Sequence, residues 1–151
     1  MRRLILVCSA AMSMFILQPA HATPQDDESA VRQRVLAYVT KVYGNGTSLA
    51  AAATTFAQAA GELWLATART QRYDQAMTER AGIAELCFRG LLVYSGGTDA
   101  DAAIAELEHA IASSPGLYAG ELYAVAFAQQ NPLHTAMSPS QACEQSGVPI
   151  P

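Results

Sequence analysis

The residue pair best suited to chemistry in this sequence is Glu106 and His109, a glutamate followed three residues later by a histidine. In a helix this spacing places both side chains on one face. Di-metal sites in helical bundles use the same pair twice, with further glutamates from other helices. Here there is one copy, and His134 is the only other histidine after residue 22. The ligand set is incomplete, so we predict a solvated helix face, with no metal site and no cofactor.

Two carboxylates at close spacing, Asp99 and Asp101, suggest acid–base catalysis as a second possibility. They follow a Gly-Gly pair and precede a helical stretch, so they lie where the helix dipole favours negative charge. No neighbouring residue is evident that would separate their pKa values, as an acid–base pair requires. We therefore interpret them as first-turn acids, with the hydroxyl of Thr98 as the helix cap.

Nucleophilic catalysis has no support in the sequence. There is no G-x-S-x-G motif and no glycine-rich loop that would hold a phosphate, and neither Cys87 nor Cys143 has a base nearby in the sequence. We predict that the protein is not an enzyme.

The elements that must position these residues are all helical. Apolar residues recur at helical spacing in five stretches, and no stretch shows the alternation of a strand. Turns rich in glycine or proline separate the stretches, for example 44–46, 96–97 and 113–116. Either Thr47 or Ser48 can cap the second helix. The predicted fold is all-α, a single compact bundle of about five helices.

Apolar residues at helical spacing define the predicted inner faces. They are Val31, Val35, Tyr38 and Val42 in the first helix, Leu49, Ala52, Phe56, Ala60, Leu63 and Thr67 in the second, Ile83, Cys87, Leu91 and Tyr94 in the third (73–95), and Ile104, Leu107 and Ile111 in the fourth. The fifth helix is expected over 117–130. Four of the seven prolines lie from residue 132 onward. We therefore expect residues 132–151, here called the strap, to be irregular.

The first 22 residues have the pattern of a secretory signal peptide. Arg2 and Arg3 precede a mostly apolar run over 4–17, and Ala20-His21-Ala22 supplies small residues for cleavage after Ala22. The apolar run is too short to span a bilayer. We predict a signal peptide at 1–22, a single domain at 23–151, no stable membrane insertion, and a periplasmic location.

Two cysteines remain after cleavage, Cys87 and Cys143, because Cys8 lies within the signal peptide. An even pair in an oxidising compartment predicts one disulfide. Closing the loop between these two cysteines contributes about 4 kcal/mol to the free energy of unfolding by the chain-entropy estimate. The alternative, a redox or metal pair, lacks the C-x-x-C spacing.

The charge balance limits the classes of partner. After cleavage the chain keeps seven basic and thirteen acidic residues, a formal charge of about −6. A nucleic-acid partner would meet no basic patch, so we predict none. A basic protein partner fits this charge better than an acidic one.

Two segments together resemble a known family. LAYVTKVYGNGTSLAAAATTFAQAAGELW and LLVYSGGTDADAAIAEL resemble the periplasmic immunity proteins that neutralise type VI secretion peptidoglycan amidases. Family members have a first helix ending like Lys41-Val42-Tyr43, a polar turn, and an alanine-rich helix closing near Glu-Trp. A later helix ends in L-Y-x-S before a turn and a helix-opening aspartate. The chain departs from the family in lacking a first-helix cysteine and in carrying the strap with Cys143.

The resemblance implies an all-helical homodimer that binds a cell-wall amidase and blocks its catalytic cleft, partly with a protruding loop. We expect that loop at the glycine-containing turn over 95–101, with the turn over 44–48 as the alternative. The predicted partner-binding residues are Tyr94, Ser95, Gly96, Gly97, Thr98, Asp99 and Asp101. We expect a homodimer because the alanine-rich face of 49–65 offers more small apolar surface than a monomer of this size readily buries.

Two other classes of function fit the sequence less well. Secreted helical mutases of the chorismate type also carry a signal peptide and one disulfide, but they need several converging Arg and Lys residues, and this chain has one lysine, Lys41. A helical-repeat adaptor would show a period of about 34 residues, which the sequence lacks. A generic periplasmic helical interaction protein stays as an alternative.

Overall fold

The computed structural model describes residues 24–96, 99–131 and 136–151, and every regular element in this part of the chain is a helix. The helices are α1 (Pro24–Tyr43), α2 (Ser48–Thr70), α3 (Gln75–Tyr94), α4 (Ala100–Ile111), α5 (Pro115–Gln130) and α6 (Pro139–Gln145). The predicted all-α class is confirmed. The predicted signal peptide, Gly97, Thr98 and His134 lie outside the described residues. None of the described helices is both long enough and apolar enough to cross a membrane.

Polar side chains cap the starts of the helices and explain where they begin. Of the two candidates at the start of α2, Thr47 is the cap: its hydroxyl accepts a hydrogen bond from the Ala50 N–H at 3.0 Å. At α3 the carboxylate of Asp74 accepts from the Met77 N–H at 2.9 Å. These bonds satisfy backbone donors that have no partner within the helix.

The helix at the centre of the fold is α2, which packs against α1, α3, α4 and α5. Its small side chains allow close approach: Ala52, Ala53 and Ala60 are almost completely buried. At Gly120 of α5 an added Cβ would lie 2.6 Å from the carbonyl carbon of Trp64, so α5 rests directly on the backbone of α2. Glycine at this position makes the contact possible.

Aromatic rings fill the space between α1, α2 and α3. The ring of Phe88 stacks on Phe56 with centroids 6.1 Å apart and meets Tyr43 edge-on at 5.5 Å. Trp64 is also buried in this core. Such contacts add to the free energy gained by removing the rings from water.

The strap contains a short helix, although its number of prolines predicted an irregular segment. Ser138 and Gln141 form a reciprocal capping box, and Pro139 occupies the start of α6. Both features favour helix initiation, so the expectation of an entirely irregular strap was wrong. Helix α6 lies against α3, where Pro139 contacts Gly90 so closely that an added Cβ would clash with its ring.

Most predicted inner positions are buried, with exceptions at helix ends. The predicted inner residues of α4 are all buried, as are those of α2 except for Leu49, which is half-buried. Val42 and Tyr94, in contrast, are exposed. Each lies in the last turn of its helix.

Candidate partner-binding site

The segment between α3 and α4, here called the α3–α4 corner (residues 93–101), turns immediately after Tyr94. The N–H of Ser95 donates to Leu91 O at 2.9 Å, and the N–H of Gly96 donates to Val93 O at 3.2 Å. Gly96 has φ +78°, and no heavy atom lies within 4 Å of where its Cβ would be. Only glycine adopts this conformation without strain, and here it also faces open space.

Two apolar side chains stand at the edge of this corner. Tyr94 is 75% exposed and Val93 is 69% exposed, the highest values among the large exposed apolar residues of the described chain. The prediction that Tyr94 lies on the inner face of its helix was wrong. This exposure agrees with the prediction that Tyr94 contacts a partner protein, because tyrosines are enriched in protein interfaces.

The two carboxylates of the corner have different tasks. Asp99 is the N-cap of α4, with one carboxylate oxygen accepting from the N–H groups of Asp101 at 3.0 Å and Ala102 at 3.3 Å. The sequence interpretation had placed Asp99 inside the first turn. Asp101 does lie in that turn, and its carboxylate pairs with Arg89 of α3 while remaining largely exposed. The capping hydroxyl expected from Thr98 lies outside the described residues, as does Gly97.

Arg89 links α3 to α4 beside the corner. Its guanidinium binds Asp101 of α4 and also Glu85, one turn earlier on α3, at 3.0 Å. Hydrogen bonds to Asp101 and then to Glu85 raise the pKa of Arg89, so it stays charged. The start of α4 is therefore tied to α3 beside the corner.

A half-buried carboxyl group, Glu108, lies in the last turn of α4. Burial, followed by repulsion from Glu85 and Glu121, raises the pKa of Glu108 to about 7, against a smaller opposing effect of Arg89. Burial also raises the pKa of Glu121, while His109 opposes that change. The carboxyl group of Glu108 therefore has a pKa near neutral pH and lies close to carboxylates of α3 and α5.

Glu106, the glutamate of the E-x-x-H pair, connects two helices. The hydroxyl of Tyr38 in α1 donates to Glu106 Oε2 at 3.1 Å, joining α1 to α4. Burial and then this hydrogen bond raise the pKa of Tyr38. Within the described residues, no group of three or more His, Cys, Asp or Glu side chains is placed to hold a metal ion.

The predicted disulfide is confirmed. Cys87 of α3 and Cys143 of α6 are bonded, with both side chains buried and the Cα atoms 4.6 Å apart. The bond fixes α6 against α3 two turns before the corner. It therefore anchors the helix that presents Val93 and Tyr94.

The alternative corner at 44–48 is also a glycine turn. Gly44 and Gly46 have φ +76° and +73°, with open space at each position. The hydroxyl of Thr47 donates to Tyr43 O at 3.0 Å, which braces the turn. No large exposed apolar side chain lies within 44–48; the nearest is Val42 in the last turn of α1. This corner therefore offers a partner less apolar surface than the α3–α4 corner.

The alanine-rich face of α2 does not offer the surface expected for dimerisation. Ala50, Ala52, Ala53, Ala57, Ala59 and Ala60 are all buried within the single chain. The expectation that a monomer cannot readily bury this face was wrong, because four other helices pack around α2. The small side chains serve internal packing.

An apolar groove lies between α1 and α2. Val35, Leu65 and Leu117 contribute to its lining, and Glu28 and Arg32 lie at its rim. Arg32 is the one basic residue among the described groove residues, and its guanidinium is 3.9 Å from Glu28. The several converging cations needed to bind a dicarboxylate are not found there.

Comparisons with family models, with curated proteins and with solved structures gave no match. Function is therefore inferred from the geometry described above together with the sequence resemblance.

Proposed function

We propose that residues 23–151 form a single exported helical domain that binds and inhibits a type VI secretion peptidoglycan amidase in the periplasm. The domain protects the producing cell by covering the catalytic groove of the amidase. It performs no catalysis and needs no cofactor. The resemblance of its sequence over 36–64 and 91–107 to the immunity proteins of this class supports the assignment.

One observation carries the proposal: the exposure of Tyr94 beside a glycine turn. A tyrosine that is three-quarters exposed loses apolar contact with water when a partner covers it. Together with Val93 it forms a small apolar contact surface at the end of α3. Binding energy in protein interfaces is concentrated in a few such side chains.

The shape and charge of the corner also fit an amidase groove. The amidases of this class use a cysteine and a histidine in an open groove, which a narrow loop can enter. At Gly96 no side chain widens the turn. The exposed carboxylate of Asp101 can approach basic groups on the rim of the groove, which favours rapid association.

Anchoring of the corner supports tight binding. The Cys87–Cys143 bond holds α3, and the Arg89–Asp101 pair holds the start of α4. A loop between two fixed helix ends loses less conformational entropy on binding than a free loop. Inhibition by insertion of a loop needs this kind of fixed geometry.

The experiment compares matched tryptophan substitutions at two glycines. Gly96→Trp and Gly44→Trp both place a bulky residue at a positive φ in open space, so their cost to folding should be similar. Each variant is produced in the periplasm with an amidase, beginning with any encoded beside this gene. We expect Gly96→Trp to abolish protection and Gly44→Trp to retain it, with equal helicity by circular dichroism.

A second pair of variants tests the contribution of exposed Tyr94 directly. Tyr94→Ala should weaken amidase binding at least tenfold, while Tyr118→Ala, which removes an exposed tyrosine from α5, should leave it unchanged. In the tryptophan experiment, the opposite result is also informative. If folded Gly96→Trp still protects the cell and Gly44→Trp does not, the inhibitory loop is 44–48. If the wild-type chain binds no amidase of the class, the proposed function is wrong.

A further inference from the structure

Beside the α3–α4 corner, the ring of Tyr94 borders a depression between α3 and the end of the strap, here called the strap hollow. Its apolar lining comes from Leu91 and Tyr94 of α3, Pro139 of α6, and Ile150 and Pro151 beyond α6. Among the described residues that line it, none is charged. Tyr94 is 75% exposed and Ile150 is 51% exposed, so two of the lining side chains also face solvent.

The chain beyond α6 is fixed by the way in which this helix ends. The N–H of Val148 donates to Cys143 O at 2.9 Å, and the N–H of Gly147 donates to Glu144 O at 3.1 Å. Gly147 has φ +68°, and the side chain of Val148 is buried. These two hydrogen bonds and the left-handed glycine form a Schellman motif. The motif holds the backbone in place up to the residue before Pro149.

Prolines on both sides restrict the backbone of Ile150. Pro149 has a fixed φ, and Pro151 disfavours the helical conformation for the isoleucine that precedes it. Ile150 therefore presents a half-exposed apolar side chain on a segment with few alternative conformations. Such a residue loses little conformational entropy when a partner covers it.

The two sides of the strap hollow are joined covalently. Cys87 of α3 is bonded to Cys143 of α6, and Cys143 itself contributes to the lining. Leu91 lies one turn after Cys87 on α3, and Val148 is hydrogen-bonded to the backbone of Cys143. The strap hollow therefore has its shape before a partner arrives, which lowers the entropic cost of binding.

We propose that the strap hollow is a second contact of this chain with the amidase and receives an apolar side chain from the rim of the catalytic groove of the amidase. The inference rests on the proposed function. Tyr94 belongs both to the α3–α4 corner and to the lining, so a partner that covers its exposed ring also reaches the strap hollow. A charged side chain would lose its water there without meeting an opposite charge, whereas an apolar side chain gains from burial.

The test uses the oxidised chain purified from the periplasm and the amidase that the wild-type chain neutralises in the co-production experiment. Ile150→Asp places a charge at the edge of the strap hollow and should raise the dissociation constant, measured by isothermal titration calorimetry, at least tenfold. Val125→Asp is the matched control and should leave it unchanged, because Val125 is 50% exposed but lies on α5, away from the lining. Circular dichroism and thermal unfolding establish that both variants are folded.

A double-mutant cycle tests whether Tyr94 and Ile150 contact the same amidase residue. Tyr94→Ala and Ile150→Ala should each weaken binding. The double variant should weaken it by less than the product of the two factors, because either single change already loosens the shared contact. A double variant that equals the product would place the two residues in separate contacts and would overturn the proposal.

The remaining outcomes separate this inference from the proposed function. If Tyr94→Ala weakens binding and Ile150→Asp does not, the strap hollow is not a contact, while the proposed function stands. An equal loss in Val125→Asp would also overturn the inference, since the effect would then follow from added charge alone. A wild-type chain that binds no amidase of the class would show that the proposed function is wrong, and with it the inference that rests on it.

Discussion

The guanidinium of Arg89 and the carboxylate of Asp101 form an ion pair across the α3–α4 corner. Arg89 belongs to the last turns of α3 and Asp101 to the first turn of α4, so the pair links the two helices that the corner connects. Asp101 is 81% exposed, so the pair is screened by water and its contribution to stability is small. The pair joins the first turn of α4 to α3.

A double-mutant cycle separates this pair from its surroundings. We expect Arg89→Gln, Asp101→Asn and the double variant to reveal a coupling free energy of about 0.5 kcal/mol in urea denaturation. Asp101→Asn should also slow association with the amidase and reduce its dependence on salt. Asp99→Ala is the control for capping and should cost about 1 kcal/mol of stability. A coupling of zero would mean that the pair does not tie α4 to α3.

The disulfide gives a prediction that needs no partner protein. Mass spectrometry of periplasmic material without reduction should find Cys87 bonded to Cys143 in a chain that begins at Thr23. Replacing both cysteines with serine should lower the free energy of unfolding by about 2–5 kcal/mol. Cys8→Ser is the matched control and should change nothing, because Cys8 lies in the predicted signal peptide. Two free thiols in the exported chain would contradict the disulfide.

Two glycines of α5 form a matched pair for helix packing. Gly120→Ala places a Cβ against the Trp64 carbonyl, so α5 must move away from α2. We expect a loss of about 2 kcal/mol or more in the free energy of unfolding. Gly116→Ala adds the same methyl group in open space and should stabilise the chain by up to about 1 kcal/mol. Equal effects in chemical denaturation would show that α5 does not rest on the α2 backbone.

Glu108 should make stability depend on pH. Its pKa is raised from 4.5 in the unfolded chain to about 7 in the folded one, mainly by burial and then by Glu85 and Glu121. The folded state therefore binds this proton more tightly, and the stabilisation is complete below pH 4.5 and lost as the pH rises through about 7. Allowing for partial exposure, we expect a loss on the order of 1 kcal/mol between pH 5 and 8.

Substitution tests that dependence. Glu108→Gln should be more stable than wild type at pH 8 and should flatten the pH profile between 5 and 8, as measured by thermal unfolding. The control Glu144→Gln removes an exposed carboxylate from α6 and should keep the wild-type slope. An unchanged slope in Glu108→Gln would place the titrating group elsewhere.

Much of the fold could be predicted from the sequence because its signals are local. Apolar residues at helical spacing identified Phe56, Leu107 and Ile111 as buried, and their burial follows directly from the amphipathic pattern. The cysteine pairing followed from parity and compartment, since only two cysteines remain after cleavage. The position of α6 was missed, although Ser138 and Gln141 are a local signal for a helix start.

The candidate site was predicted less completely. The sequence located the corner from its glycines and assigned both Asp99 and Asp101 to the partner. The structure gives Asp99 to the cap of α4 and pairs Asp101 with Arg89, a residue the sequence analysis did not select. The distance from Arg89 to Asp101 along the chain is 12 residues, so their contact depends on how α3 and α4 are oriented.

By itself the sequence determined the positions of the first five helices, where most turns occur and which faces are apolar. Only the tertiary structure decided which apolar residues are covered. The alanines of α2 are buried because four helices pack around them, whereas Tyr94 and Leu122, also in apolar stretches of helix, are exposed. Periodicity defines a face through backbone geometry, but burial depends on the lengths and positions of the helices packed against it.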